Sequence, residues 1–255
     1  GNTVLKEFSN AVSEIVLQAP AGVVIDLRNN PGGLLADTVK IAKEFLPSKT
    51  IVKTRGQQFG RTSDYVSGRE GAFESLPLVI MVNKGSASAS EIFAGAMQDY
   101  RRGVVIGEKT YGKGSVQQVV PLSDGSSLKV TIMEWLTPNE RSIHDVGIQP
   151  HEIIEVDLNE EDEDIDPVLD RAIQLINTSE IYQELLNGPI PTVEDAETVE
   201  KEAEDQKIEA LKEGEAVEEE DREETENNTK TPTKMKCKHG ETHLKVHTLR
   251  KQYQN

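Results

Sequence analysis

The sequence predicts an α/β domain, and three observations carry that prediction. Residues 22–27 (Gly-Val-Val-Ile-Asp-Leu) and 76–83 are short, continuously apolar runs, the pattern of strands buried on both faces. Segments of helical periodicity alternate with such runs, which indicates strands interleaved with helices. Clusters such as Asn29-Asn30-Pro31-Gly32-Gly33 punctuate the boundaries as turns.

Taken in order, 5–17 is a moderately amphipathic helix and 22–27 the first buried strand. Residues 34–45 are helical, with Pro47 following the stop. A strand is expected at 50–54, then a polar loop or hairpin over 56–71, then the second buried strand at 76–83. A helix follows at 86–100, a strand at 103–107 and a loop at 109–114. Residues 116–121 and 127–135 alternate in character and read as two further strands. Asp166 and Pro167 cap and open a last helix, with Val168, Leu169, Ala172, Ile173 and Ile176 on one face. No internal repeat is present.

The 255 residues carry a formal net charge of −17, and hydrophobic residues make up 36%, low for a chain packed throughout. The negative balance argues against nucleic acid as the main partner. One cysteine, Cys237, excludes an internal disulfide framework. No apolar run reaches the roughly 20 residues of a membrane-crossing helix, and no secretory leader is visible. The chain starts Gly1-Asn2-Thr3, so an upstream segment is expected. Residues 194–226 hold 17 acids against four bases, and 230–255 hold seven bases against Glu241. This divides the chain into a core at 1–157, an acidic linker with a closing helix at 158–189, and a charged low-complexity tail at 190–255. The tail is expected to be disordered, because it has too little apolar surface to offset its ordering entropy. A partner-binding role for the acidic block is the other reading. Within the tail, Cys237, His239, His243 and His247 have a spacing that would align them as metal ligands on a helix. Gly240 and the missing apolar scaffold argue against it, so no metal is assigned.

Three loops carry residues suited to chemistry. Asn83-Lys84-Gly85-Ser86-Ala87-Ser88-Ala89-Ser90-Glu91 joins a buried strand to a helix start, where small residues allow close approach and first-turn amides point outward. The serines can equally be helix caps. In Tyr111-Gly112-Lys113-Gly114-Ser115 a lysine is flanked by two glycines, and no phosphate-loop spacing precedes it. In Asp26-Leu27-Arg28-Asn29-Asn30-Pro31-Gly32-Gly33 a glycine pair leaves bare amides at the carboxyl end of a strand, where ligands of α/β domains sit.

Together and in this order the three segments, spanning 22–118, resemble the C-terminal processing peptidases, or tail-specific proteases. Weaker similarity continues through Leu136-Thr137-Pro138 and Gly147-Ile148-Gln149-Pro150. The resemblance implies a crotonase/ClpP-like core of ββα units and a serine endopeptidase cutting proteins near their C-termini through an acyl-enzyme. It implies Ser88 as nucleophile, Lys113 as general base, Gln117 as the residue orienting the lysine amine, and the Gly33 and Ala89 amides as the oxyanion hole. It implies no cofactor, protein or peptide substrates with apolar C-termini, action outside the cytoplasm, and a tendency of relatives to dimerise.

The implied chemistry sets a physical requirement. A free lysine titrates near ~10.4 and is no base at neutral pH unless burial disfavours its charged form. Lys113 should therefore lie in apolar surroundings with no carboxylate nearby, and neutral Gln117 could hold it without stabilising the ammonium. His144 and His151 are spectators on this reading; a Ser–His arrangement using either is the runner-up chemistry. Relatives usually carry a PDZ domain ahead of the core, and the expectation is a core that lacks it and is incomplete at its N-terminal side. His151 stands where relatives often have Asp. An inactive binding or assembly module on the same fold is the alternative function.

Overall fold

The structure, a computed structural model, describes residues 2–56, 62–155 and 166–192, together with the backbone of 245–249. The order of elements is α1 (Asn2–Gln18), β1 (Gly22–Asp26), α2 (Leu35–Ala42), β2 (Thr50–Gly56), β3 (Thr62–Val66), β4 (Leu78–Val82), α3 (Ala89–Asp99), β5 (Val104–Gly107), β6 (Ser115–Pro121), β7 (Ser127–Leu136), β8 (Glu152–Ile153), α4 (Pro167–Asn177), α5 (Ser179–Asn187) and β9 (Lys245–Leu249). It is a mixed α/β fold.

The two apolar runs become neighbouring parallel strands, β1 and β4, in a sheet ordered β8-β5-β4-β1-β9. Strand β9 alone runs antiparallel, with Ile25 opposite Val246. Period-two alternation sends the side chains of this sheet into two separate cores. Val23, Ile25, Leu78, Ile80, Val82 and Val105 face one core, shared with α3 and with β2. Val24, Val79, Met81, Val104 and Ile106 face the other, which α4 closes with Val168, Ala172 and Leu175. A parallel sheet needs both faces covered, which is why these strands read as unbroken apolar runs.

The second sheet is antiparallel, ordered β3-β2-β7-β6. Within the stretch expected to be a loop or hairpin, residues 62–66 form β3, antiparallel to β2 with Arg55 opposite Thr62, while residues 57–61 lie outside the described residues. Helix α3 is buried from Ala89 through Gln98. Its small residues let neighbours come close: a side chain at Gly95 would approach Thr137 Cγ2 to 2.9 Å. At its end, the Asp99 carboxylate, with no exposed side-chain surface, is gripped by Arg141 Nε at 2.8 Å and by the Asn139 amide at 2.7 Å.

Three features depart from the sequence reading. The closing segment is two helices, not one. Tyr182 on α5 is buried, and its hydroxyl accepts the Leu78 amide at 3.0 Å and donates to the Leu78 carbonyl at 3.2 Å, which fixes α5 against the start of β4. A short β8 forms where His151 brackets β5: its amide donates to the Val105 carbonyl at 2.7 Å, and its Nδ1 accepts the Val105 amide at 2.9 Å. The tail expected to be disordered contributes β9, because β1 offers it an open edge and Val246 and Thr248 are β-branched. His247 therefore lies on a strand, which removes the helical spacing of the histidine set. Cys237, His239 and His243, and the acidic block, lie outside the described residues. Among the described residues no helix is long and apolar enough to cross a membrane, and no cluster of metal-ligating side chains forms.

Candidate active site

The three loops singled out by sequence converge at the carboxyl ends of β1, β4 and β5. Ser88 stands at the start of α3, half-buried, with φ 54° and ψ −112°. That backbone is costly for a residue with a side chain, of order 1–3 kcal/mol, and such outliers gather at functional turns. Serine nucleophiles in other hydrolases sit on strained strand-to-helix turns of this kind.

The other two serines of the run are structural. Ser86 Oγ donates to the Leu27 carbonyl at 2.7 Å and accepts the Asn83 amide at 3.0 Å, and Ser90 Oγ donates to the Asn30 carbonyl at 3.0 Å. Both hold the Ser88 turn to the loop after β1. Asn29 and Asn83 add a reciprocal tie: the Asn29 amide donates to Asn83 Oδ1 at 2.8 Å, and Asn83 Nδ2 to Asn29 Oδ1 at 3.1 Å.

Of the glycine pair, Gly32 packs against the turn. Its φ is +97°, and a Cβ there would lie 2.7 Å from both the Ala87 oxygen and the Ala89 nitrogen. Gly33 faces open space. Among the described residues neither the Gly33 nor the Ala89 amide has an acceptor. The Ser88 amide, by contrast, is taken, since it donates to Glu91 Oε2 at 2.7 Å.

Glu91 is the residue that sequence reading passed over. It is fully buried. Its Oε2 accepts the Ser88 amide and also the Lys113 amide at 2.9 Å, and its Oε1 accepts the Gly112 amide and the Thr110 hydroxyl, each at 2.6 Å. Four donors satisfy one buried carboxylate, which is what burying a charge requires. The signal was present as Ser-x-x-Glu at a helix start, a capping box. Its reach into the lysine loop was not visible from spacing.

The lysine loop is held from its other side by residues 143–145. The Asp145 amide donates to the Gly112 carbonyl at 2.9 Å, and the Trp135 amide to the Gly114 carbonyl at 2.7 Å. Any side chain at Gly114 would strike the His144 backbone. The Lys113 side chain is exposed, and no carboxylate pairs with it among the described residues. The expected apolar surroundings are therefore not met: the loop clamps the lysine's backbone and leaves its side chain uncovered. Gln117 lies on β6 opposite Thr131, just past a bulge, and is exposed; among the described residues no hydrogen bond joins its side chain to Lys113. His144 is exposed beside this loop, and His151 lies mostly buried at the far edge of the sheet. Burial pushes the His151 imidazole down to about 4, and Arg141 and Arg101 push in the same direction.

Arg28, just beyond β1, is a second structural tie that sequence reading missed. Its guanidinium binds Asp26 at 2.9 Å and Asp166 at 2.7 Å, joining the start of α4 to the strand that leads into the glycine pair. A cleft of about 190 Å³ opens beside Ser88, with Gly32, Gly33, Ala89 and Ser90 on its near wall and apolar side chains beyond.

A family model described as peptidase family S41 matches residues 2–154. A carboxyl-terminal-processing protease from Synechocystis sp. is 45% identical over 150 residues, covering 59% of this chain and 35% of its own length. A carboxy-terminal-processing protease from Bartonella bacilliformis is 39% identical over 162 residues, covering 61% of this chain and 37% of its own. Among solved structures, a photosystem II D1 C-terminal processing protease superposes with a TM-score of 0.58 at 33% identity, covering 70% of this chain and 44% of that one. The chain thus spans about a third of the length of the curated relatives it matches.

Proposed function

Because the chain belongs to peptidase family S41, we propose that it is the catalytic portion of a serine endopeptidase that cleaves protein substrates near their C-termini. Ser88 is the nucleophile, Lys113 the general base and Gln117 the side chain that orients the amine. The Gly33 and Ala89 amides hold the oxyanion. The single observation that carries this reading is the sharing of Glu91 Oε2 by the Ser88 and Lys113 amides. Two loops 25 residues apart in sequence are held on one atom, beside two amides with no acceptor among the described residues.

In the reaction Ser88 Oγ attacks the scissile carbonyl as Lys113 Nζ takes its proton. The oxyanion forms against the two amides, an interaction worth about 2.7–4 kcal/mol per donor in another serine protease. The ammonium then protonates the leaving amine, and water resolves the acyl-enzyme by the same route. Lys113 is exposed without substrate. Its activation as a base thus rests on cover supplied by the bound polypeptide, which would exclude water and disfavour the charged form. The exposed lysine also favours a second reading, an inactive binding or assembly module on this fold.

The proposal extends to the setting. By the family resemblance, the protein acts outside the cytoplasm on polypeptides with apolar C-termini and pairs with a second copy; the charge composition of its acidic segment suits partner binding. The test is cleavage of an unfolded protein with an apolar C-terminus by the chain, by Ser88→Ala and by Lys113→Ala. Activity lost in both variants supports the pair. Activity surviving Ser88→Ala removes the nucleophile, and inactivity of all three favours the binding module.

A further inference from the structure

The cleft beside Ser88 has one feature that its apolar character does not explain. Val4, Ile25, Leu27, Ile41 and Phe93 line it, bringing together α1, β1, α2 and α3. Four of its lining residues have polar side chains, and three of these are already engaged in the wall. Asn30 Oδ1 accepts the Gly32 amide at 3.0 Å, Thr38 Oγ1 donates to the Leu34 carbonyl at 3.3 Å, and Ser90 Oγ donates to the Asn30 carbonyl at 3.0 Å. The fourth is Asp37, the only charged residue of the lining. Among the described residues no donor and no cation meets its carboxylate.

The Asp37 carboxylate is the one charge on a mostly apolar lining, with no cation beside it among the described residues. The first turn of α2 favours a negative charge there but supplies no counter-ion. The volume of about 190 Å³ suits one long side chain, since a cavity of about 150 Å³ holds a benzene ring. An apolar passage bearing one unpaired carboxylate is complementary to a group with a hydrocarbon stem and a cationic head.

We propose that this cleft receives the substrate side chain on the acyl side of the cut bond, and that Asp37 makes it select lysine over an uncharged side chain of the same length. The proposal rests on the protease reading above and narrows it: the residue entering the cleft carries a positive charge on an apolar stem. Asp37 is a specificity-determining residue and takes no part in the bond-breaking steps.

The experiment has two arms. In the first, peptides identical except for lysine or norleucine at the cleavage position are compared by kcat/KM with the chain, Asp37→Asn and Asp37→Glu. The expected lysine-to-norleucine ratio exceeds one, falls about two- to fivefold in Asp37→Asn, the range of a partly exposed ion pair, and recovers in Asp37→Glu. In the second, NMR titration compares n-pentylammonium with n-pentanol on the chain and on Asp37→Asn, so that binding is read without catalysis. The ammonium should bind more tightly, and only while Asp37 is present. A ratio unchanged by Asp37→Asn, or no ammonium preference, overturns the proposal. If no peptide is cut but the ammonium preference holds and vanishes in Asp37→Asn, the protease reading fails and the charge-selective cleft stands.

Discussion

The backbone amides of Ser88 and Lys113 donate to the same oxygen atom, Glu91 Oε2, at 2.7 and 2.9 Å. The helix start and the lysine loop are therefore tied through one buried carboxylate, alongside the Tyr111 amide, which donates to the Ser86 carbonyl at 3.0 Å. Thr110 extends the arrangement, because its hydroxyl donates to Glu91 Oε1 at 2.6 Å and accepts the Ile148 amide at 2.7 Å.

Glu91→Gln tests this arrangement. An amide has the same shape but turns one acceptor into a donor, facing amides that also donate. Each donor left unpaired costs about 1–3 kcal/mol. The loops should drift apart, and a misplacement near 1 Å costs about 100-fold in rate. Thermal unfolding and cleavage rate measured on the same sample should both fall.

The glycine pair gives a sharper contrast. Gly32→Ala places a methyl against Ala87 and Ala89 at a left-handed φ of +97°, whereas a methyl at Gly33 meets nothing within 4 Å. Gly32→Ala should reduce cleavage by about 100-fold through displacement of the Ser88 turn. Gly33→Ala keeps its amide and should lose far less. Equal losses in the two variants would contradict the geometry.

His151 makes stability depend on pH. Its imidazole, pushed down mainly by burial to about 4, stays neutral in the fold while the unfolded chain takes up a proton below the ordinary histidine value of 6.5. The unfolded state thus binds more protons between pH 6.5 and about 4, so stability falls as pH falls through that window, by about 3 kcal/mol in all. Urea unfolding across this range should show the slope, and His151→Gln should flatten it. Asp166, held below the usual carboxylate range by its hydrogen bond to Arg28, adds a loss only at lower pH, as its own proton goes on.

Arg141 pairs with the buried Asp99 carboxylate at the end of α3. Arg141→Met leaves the Asp99 carboxylate buried without its cation, and breaking such a pair costs about 3–5 kcal/mol. The melting temperature should drop by roughly 10 °C or more. The double variant with Asp99→Asn should recover much of the loss.

What the sequence determined by itself is the order and type of most elements and the three loops that meet at the site. Runs such as 22–27 and 76–83 report burial on both faces directly, and the glycine pair and the Ser88 turn announce themselves by residue type, because backbone conformation is a local property. Tertiary structure alone decided the rest. That Glu91 reaches the lysine loop, that Lys113 lies exposed, that Asp37 stands unpaired on an apolar wall, and that 245–249 finds the edge of β1 all depend on what neighbours each group across distant stretches of chain. A hydrogen bond or an unpaired charge is a relation between two positions. Periodicity records only which way one position faces.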